Sequence, residues 1–222
     1  MLKSICQIIL WIFPWALRRR GLIWMYGYQI APSSHIGLSI ILANKLRMDA
    51  HSSIGNFCIC KRIDRLELHE YAGMGNFNKI TGFPTNDRSV IHFKHVKDRK
   101  CELIIGRHTG ITSNHYFDCN GGIRIGDFCQ IAGFDTAFMT HSIDLKQSIQ
   151  DAGPIVVGDY CFIGARCILL KGIQIADKTA ISAMSLVNKS LTTSNALYGG
   201  VPCKYLKALD DSKFFSREIG FV

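Results

Sequence analysis

The feature that most constrains the fold of this chain is a repeat of six residues. From residue 157 to residue 187 an aliphatic side chain stands at every sixth position, and these residues are Val157, Ile163, Leu169, Ile175, Ile181 and Val187. An α-helix repeats near 3.6 residues and a half-buried strand near 2, so a sustained period of six indicates a solenoid whose flat faces are one hexapeptide wide. Three hexapeptides are expected to close one triangular coil.

The same period occurs earlier in four shorter runs that are separated by shifts in phase. Their members are Ile36, Leu42, Met48 and Ile54; Leu68, Met74 and Ile80; Ile105, Ile111 and Phe117; and Ile125, Ile131 and Ala137. Two stretches break the period, near residues 81–102 and 141–154, and loops of that length are usually functional or disordered. The first stretch is basic, and it is interpreted either as a solvated loop or as an arm that contacts an anionic acceptor.

A second inward position is predicted four residues after each periodic residue, and the side chain there must be small. The residues at this position are Cys58, Ala72, Thr109, Cys129, Cys161, Cys167, Thr179 and Ser185. Buried cysteine behaves as a compact hydrophobe, so these thiols are interpreted as packing residues and covalent catalysis by cysteine is disfavoured. Cys58 and Cys60 lack a second pair at zinc spacing, so no metal site is predicted.

Composition and charge limit the class of protein and its partners. The chain has 222 residues, of which 48% are apolar, and this predicts one main domain with a sizeable core. The net charge of +9 favours partners that carry phosphate, carboxylate or an anionic membrane face, and no nucleic-acid recognition motif accompanies it. The nine cysteines are an odd count without a secretory leader, which predicts a reducing, cytoplasmic setting.

The first thirty residues differ from the rest of the chain. Residues 8–17 are apolar, and three arginines follow them directly. The run is shorter than the roughly 20 residues that a membrane-spanning helix needs, and Pro14 interrupts it. Two interpretations remain open: a helix that caps the end of the core, or a helix that lies on an anionic membrane face. The second would use four aromatic side chains, Trp11, Phe13, Trp15 and Trp24.

Residues 104–209 resemble the galactoside, maltose and nodulation-factor O-acetyltransferases, and the ending GGVPCKYL is the most specific motif. The resemblance implies an all-β, left-handed parallel β-helix with a short N-terminal apolar helix and a short C-terminal helix. It also implies a homotrimer that binds acetyl-CoA in a groove between adjacent coils. The expected organisation is a helical segment (1–30), a β-helix acetyltransferase domain (31–205) and a C-terminal tail (206–222).

The resemblance also assigns roles to single residues. In the segment IGDFCQIAGFDTAFMTHSID it places the family's catalytic histidine at His141, as a general base. Asn114 corresponds to the family asparagine that meets the acceptor, and His115 could compete with it. Asp144 is expected either to orient the imidazole, to touch the acceptor or to cap the loop. The residues expected to bind coenzyme A are Phe162, Ala165, Ala183, Asn188, Lys189 and Lys204.

The expected function is direct transfer of acetyl from acetyl-CoA to a sugar hydroxyl of a surface polysaccharide, a glycolipid or a precursor. The basic charge and the N-terminal segment motivate this acceptor, together with peripheral contact with the inner face of the cytoplasmic membrane. Alternatives are N-acetylation of an amino sugar, acetylation of an antibiotic, and a non-catalytic solenoid. A γ-type carbonic anhydrase is excluded, because it needs a His-x-x-x-x-His pair and no two histidines here are five apart.

Overall fold

A computed structural model describes residues 2–86 and 92–220. The chain begins with two helices, α1 (Leu2–Leu10) and α2 (Trp15–Tyr26), where the sequence predicted one apolar helix. Pro14 stands between them, because proline cannot continue a helix but is tolerated at a helix start. After α2, the described part of the chain forms strands and one 3₁₀ turn (Lys213–Ser216), which occupies the place of the predicted C-terminal helix.

The strands are short, and most contain two to four residues. The first nine are β1 (Gln29–Ile30), β2 (His35–Ile36), β3 (Ile40–Leu42), β4 (Lys45–Met48), β5 (Ser53–Ile54), β6 (Ile59–Lys61), β7 (Arg65–Leu68), β8 (Gly73–Met74) and β9 (Lys79–Thr81). The next eight are β10 (Glu102–Ile105), β11 (Gly110–Ile111), β12 (Tyr116–Asp118), β13 (Ile123–Ile125), β14 (Gln130–Ile131), β15 (Ala137–Met139), β16 (His141–Asp144) and β17 (Ile149–Ala152). The last eight are β18 (Ile155–Val157), β19 (Phe162–Ile163), β20 (Ile168–Leu170), β21 (Ile173–Ile175), β22 (Thr179–Ile181), β23 (Leu186–Val187), β24 (Ala196–Gly199) and β25 (Lys204–Ala208).

Three sheets surround one core. Sheet 1 contains β1, β4, β7, β10, β13, β18 and β21; sheet 2 contains β2, β5, β8, β11, β14, β19, β22, β24 and the antiparallel β25; sheet 3 contains β3, β6, β9, β12, β15, β20 and β23. Periodic residues of successive coils stand in register, as Ile131 does with Ile163. The predicted all-β fold, a parallel β-helix of hexapeptide coils, is therefore confirmed.

The residues predicted to point inward are largely buried. All eight small residues at the second inward position are at most 2% exposed. Two predicted core positions are wrong by one residue, since Ile41 and Phe138 are buried in place of Leu42 and Ala137. The coil corner before Ile41 is one residue shorter than the repeat, and the corner before Phe138 is one residue longer. Because side chains alternate along a strand, each change of one residue moves the inward face to the neighbouring position.

The N-terminal helices close one end of the core, as one of the two interpretations predicted. Leu22 of α2 is buried in the core cluster. The Gln7 amide donates to the Ile41 carbonyl (2.5 Å) and accepts the Ile41 N–H (2.8 Å). Arg18 is buried and donates to the Gly37 carbonyl (2.6 Å). These bonds tie both helices to backbone groups of β3 and of the turn after β2, at the end of the coil.

Part of the N-terminal surface stays apolar and exposed. Trp24 is 87% and Ile12 is 81% exposed, and Phe13 is 46% exposed. Trp15 packs against the core and donates to the Ser34 carbonyl (2.9 Å), so it does not belong to the exposed surface on which it was predicted. No helix in residues 2–86 and 92–220 is long and apolar enough to cross a membrane.

The turns between sheets form three corners, of which two matter for the site. At the 2–3 corner the chain passes from sheet 2 to sheet 3, in residues 112–115, 132–136, 164–167 and 182–185. At the 3–1 corner it passes from sheet 3 to sheet 1, in residues 119–122, 140–154, 171–172 and 188–190. Both stretches that break the period leave from the 3–1 corner. The first is residues 82–101, of which 87–91 lie outside the described residues, and the second is a hairpin formed by β16 and β17.

Candidate active site

His141 is the first residue of the hairpin and stands where the chain leaves the coil. Thr140, directly before it, is buried and donates through Oγ1 to the Asp118 carbonyl (2.5 Å). The same Oγ1 accepts the N–H of Gly121 (2.7 Å). These bonds tie the start of the hairpin to the preceding coil, so the imidazole is held beside Asp118 at the end of β12.

Asp118 orients the imidazole. It is 1% exposed, and its Oδ2 is hydrogen-bonded to Nδ1 of His141 and accepts the His141 backbone N–H (3.0 Å). The Asn120 amide donates to Oδ1 of Asp118 (2.5 Å) and lies 3.1 Å from Nδ1. A carboxylate only accepts hydrogen bonds, so Nδ1 carries the proton and Nε2 keeps the lone pair. Among the described residues Nε2 has no hydrogen-bond partner.

The same carboxylate sets the basicity of His141. Its hydrogen bond to Nδ1 raises the pKa of the imidazole above the ordinary value, while partial burial opposes the shift. The imidazole side chain remains 34% exposed, so a substrate can reach it. Above its pKa, His141 is therefore an oriented neutral base with a free lone pair, which is what proton abstraction from a hydroxyl requires.

The first excursion forms a wall beside His141. Phe93 is 4% exposed and meets the imidazole edge-on, with ring centroids 6.2 Å apart. The Arg99 guanidinium lies 4.7 Å from the Phe93 centroid and donates to the Asn120 carbonyl (2.9 Å). The guanidinium therefore holds the excursion against the turn that contains Asn120.

The buried thiol nearest this site cannot act as a nucleophile. Cys119 directly follows Asp118 and is fully buried. Burial raises the pKa of the Cys119 thiol well above its ordinary value, so the reactive thiolate is not formed near neutral pH. Cys101, at the end of the first excursion, has its pKa raised to about 11 by the same cause. The chemistry that the geometry offers is therefore base catalysis by His141.

Asp144 is the last residue of β16, and no hydrogen bond joins it to His141 among the described residues. Its Oδ1 accepts the backbone N–H groups of Lys146 (2.9 Å) and Gln147 (3.0 Å). Of the roles expected for Asp144, capping the loop is therefore the one that the hydrogen bonds show. The orienting position is occupied by Asp118.

His115 is a structural histidine, so its predicted contact with the acceptor is wrong. It is 1% exposed, its Nε2 is bonded to Thr112 Oγ1 (2.9 Å), and its Nδ1 accepts the Thr136 N–H (3.1 Å). Burial lowers the pKa of His115 to about 4, so the ring is neutral at physiological pH. Its neighbour Asn114 is exposed at the 2–3 corner, where its Nδ2 donates to Asp135 Oδ1 (2.5 Å).

The residues expected to bind coenzyme A lie in separate places on one chain. Ala165 and Ala183 stack at the 2–3 corner, where a Cβ added to Gly133 would lie 2.4 Å from that of Ala165. Small side chains are thus required there by packing. The other predicted residues are Phe162 on sheet 2, Asn188 and Lys189 at the 3–1 corner, and Lys204 at the start of β25. Asn188 and Lys189 alone share the corner of His141.

Three residues that contact His141 or its partner were not predicted from the sequence, namely Asp118, Asn120 and Phe93. A signal for Asp118 was present, because it follows Phe117, the last periodic residue before the 3–1 corner. Because successive coils stack in register, Asp118 stands beside Met139, two residues before His141. No comparable signal exists for Phe93, which lies in an excursion without a repeat.

No protein-family model matches the chain. A Staphylococcus aureus (strain COL) protein that carries the name acetyltransferase is 30% identical over 133 residues, which are 57% of this chain and 65% of that protein. The galactoside O-acetyltransferase of Escherichia coli (strain K12) is 33% identical over 93 residues, 40% of this chain and 45% of that enzyme. A crystal structure of a Vibrio cholerae hexapeptide-repeat acetyltransferase with acetyl coenzyme A is 32% identical, covers 49% of this chain and 61% of that one, and has a TM-score of 0.45.

The chain thus spans less than two thirds of the length of each of these relatives. The sequence identity to two proteins named as acetyltransferases agrees with the hexapeptide coils seen in the structure. The chain is therefore similar, over 40 to 57% of its length, to proteins named as acetyltransferases, and its fold is a parallel β-helix of hexapeptide coils.

Proposed function

We propose that this protein transfers an acetyl group from acetyl-CoA to a sugar hydroxyl in a surface polysaccharide, a glycolipid or their lipid-linked precursor. The observation that carries the proposal is the state of His141, whose Nδ1 is held by the buried Asp118 while Nε2 is open to a substrate. The name of the Escherichia coli relative supports a sugar acceptor, and the Vibrio cholerae complex supports acetyl-CoA as donor.

In the proposed reaction, Nε2 of His141 takes the proton of the acceptor hydroxyl while the hydroxyl oxygen attacks the thioester carbonyl carbon. The carbon–sulfur bond then breaks, and the imidazolium returns its proton to the departing thiolate. Asp118 stabilises the imidazolium between these steps. Backbone N–H groups of the coil are proposed to stabilise the oxyanion, and Asn114 and Asp144 to contact the acceptor.

A homotrimer would complete the site. The outer face of sheet 3 is mostly apolar, with Ile59, Tyr116 and Ile168 exposed by 42%, 36% and 44% in one chain, beside the exposed Lys61 and Lys79. Three chains around a cyclic axis would bury these faces. We propose that the 2–3 corner of one chain then faces the 3–1 corner of the next, which brings Ala165 and Ala183 towards His141 of a neighbour.

Coenzyme A has suitable surfaces to bind on such an assembly. The groove proposed between the 2–3 corner of one chain and the 3–1 corner of the next suits the pantetheine arm, and Phe162 would pack near its thiol end. The exposed side chains of Asn188, Lys189 and Lys204 suit polar contacts with the arm and with the phosphates. These assignments follow the resemblance, and a titration with coenzyme A tests them.

The exposed apolar surface of α1 and α2 supports peripheral contact with an anionic membrane, and with it a place on the inner face of the cytoplasmic membrane. Ile12 and Trp24 would enter the interface, and the exposed Arg20 would lie near lipid phosphates. Arg18 is excluded from this contact, because its guanidinium is used inside the cap.

N-acetylation of an amino sugar is the near rival, because an oriented imidazole can also deprotonate an ammonium acceptor. The test measures thiol release from acetyl-CoA with sugars, glycolipids and amino sugars, and then treats each product with alkaline hydroxylamine. An O-acetyl ester is cleaved by this reagent, whereas an acetamide is not. A cleavable product supports the proposal, a resistant product supports the rival, and no release with any acceptor would contradict both.

A further inference from the structure

Two adjoining cavities lie over the outer face of sheet 1. The first, of about 400 Å³, lies between residues 96–100 of the first excursion and residues 152–156. The second, of about 510 Å³, continues towards the N-terminal coils. Both are lined by Arg99, Lys100, Glu102 and Arg124, so they form one trough.

The trough is long and runs along the coil axis. Its wall includes Lys45 on β4 at one end and Val156 on β18 at the other, and these strands are separated by β7, β10 and β13. Four steps between adjacent parallel strands correspond to about 19 Å. A surface of this length fits an extended chain of several sugar residues.

The charges in the trough leave lysines available for a ligand. Glu102 accepts a hydrogen bond from Arg124 (2.7 Å) and lies 3.7 Å from Arg65, which also donates to Glu67 (3.1 Å), so two carboxylates balance two guanidinium groups. Asp64 accepts hydrogen bonds from the hydroxyl and the N–H of Thr85, and Arg99 donates to backbone carbonyls. Asp98 borders the first cavity. The lysines of the trough are Lys45, Lys97 and Lys100; all are exposed, and none has an ion pair among the described residues.

The end of the trough at β18 lies near His141. Ala152 lines the first cavity and is paired directly with His141 in the hairpin. Gly121 lines it as well, next to Asn120, whose amide lies 3.1 Å from Nδ1 of His141. A chain lying in the trough would therefore end against Ala152, the strand partner of His141, and Gly121, the neighbour of Asn120.

We propose that the trough binds an acidic glycan, whose repeated anionic groups meet Lys97, Lys100 and Lys45 while one sugar hydroxyl reaches His141. The inference rests on the proposed function and narrows its acceptor to saccharides that carry carboxylate or phosphate. Lysine is a compact point charge on a flexible stem, so it suits anionic groups that arrive in varying geometry along a chain. The net charge of +9 adds long-range attraction for such a polymer.

Binding to the full-length protein tests the inference without requiring turnover. Two acidic probes are titrated separately, oligomers of galacturonic acid and a polyol-phosphate oligomer, with the methyl ester of the first as the neutral control. We expect at least one acidic probe to bind, longer oligomers to bind more tightly, and added salt to weaken binding. The probe that binds identifies carboxylate or phosphate as the recognised group.

A triple variant K45Q/K97Q/K100Q should weaken binding about tenfold, since each exposed charge contact contributes about a factor of two to three. The charge-preserving K45R/K97R/K100R should retain binding, and K213Q, which removes an exposed lysine of the 3₁₀ turn, should bind as wild type. No binding by either acidic probe, equal binding of the methyl ester, or an unaffected triple variant would overturn the inference. Normal binding without thiol release would instead contradict the proposed function.

Discussion

The 2–3 corner and the 3–1 corner lie at opposite ends of β12, and each holds a histidine in a different state. His115 at the first is buried, bonded through both ring nitrogens and neutral, with a pKa of about 4. His141 at the second is part exposed, bonded through one nitrogen and shifted towards a higher pKa by Asp118. The residue type is the same, so the surroundings decide which histidine can act as a base.

The difference arises from how the chain turns at each corner. At the 2–3 corner the turns stay short, and the coils above and below close over His115. At the 3–1 corner two excursions leave the coil, and His141, at the start of the second, keeps 34% of its side chain exposed. The histidine that is oriented and part exposed thus stands where the repeat is interrupted.

The largest effect is expected at the two histidines themselves. H141A should lower acetyl transfer by about 10² to 10⁴-fold, because it removes a positioned general base. H115Q, measured in the same thiol-release assay, should stay close to wild type. Equal losses in the two variants, with folding verified by circular dichroism, would break the comparison.

Acid should destabilise the 2–3 corner through His115. Its folded pKa of about 4 lies below the unfolded value of 6.5, so the unfolded chain binds a proton in this window and the folded chain does not. The free energy of unfolding is therefore highest above pH 6.5. Between pH 6.5 and pH 4 it falls by about 3 kcal/mol because of this residue. Urea unfolding at fixed protein concentration should show this loss in wild type and a flatter profile in H115Q. Parallel profiles would show that His115 does not titrate as proposed.

D118N should show how much activity depends on the orientation of His141, because the imidazole stays in place while the carboxylate that orients it is removed. The amide oxygen is an uncharged and weaker acceptor for the Nδ1–H group, and the NH2 group is a donor, so we expect a loss of about 10²-fold, at the lower end of the worth of a general base. Because Asp118 raises the pKa of His141, its removal should also move the acid limb of kcat/KM to lower pH. An unchanged limb would mean that another group sets the basicity.

I168K should dissociate the proposed trimer. The 2–3 corner of one chain would then no longer face the 3–1 corner of the next. An unpaired charge in a buried interface costs about 2 kcal/mol or more, which weakens association about thirtyfold. Light scattering should show the wild type near three times 24.9 kDa and I168K shifted towards one chain. Q174K places the same charge on the outer face of sheet 1 and should leave the mass unchanged. A fully active monomer would contradict the shared site.

The smallest effect concerns the N-terminal surface, which is far in sequence from both corners. I12S/W24S should weaken sedimentation with anionic liposomes about tenfold, because two exposed apolar side chains no longer enter the interface. I219S removes an exposed side chain of the C-terminal tail and serves as the control. If wild type does not sediment at low salt, the helices serve only as a cap.

The sequence by itself determined the coil, because a period of six fixes which side chains point inward and how strands stack. It also located both interruptions and, through the resemblance, His141. Asp118, Asn120 and Phe93 were decided by the tertiary structure, since they reach His141 across coils and from an excursion that has no repeat. The tertiary structure also decided that His115 is buried and that Leu42 and Ala137 are not core residues. One residue more or less at a corner changes which side chain is buried, and burial sets both packing and pKa.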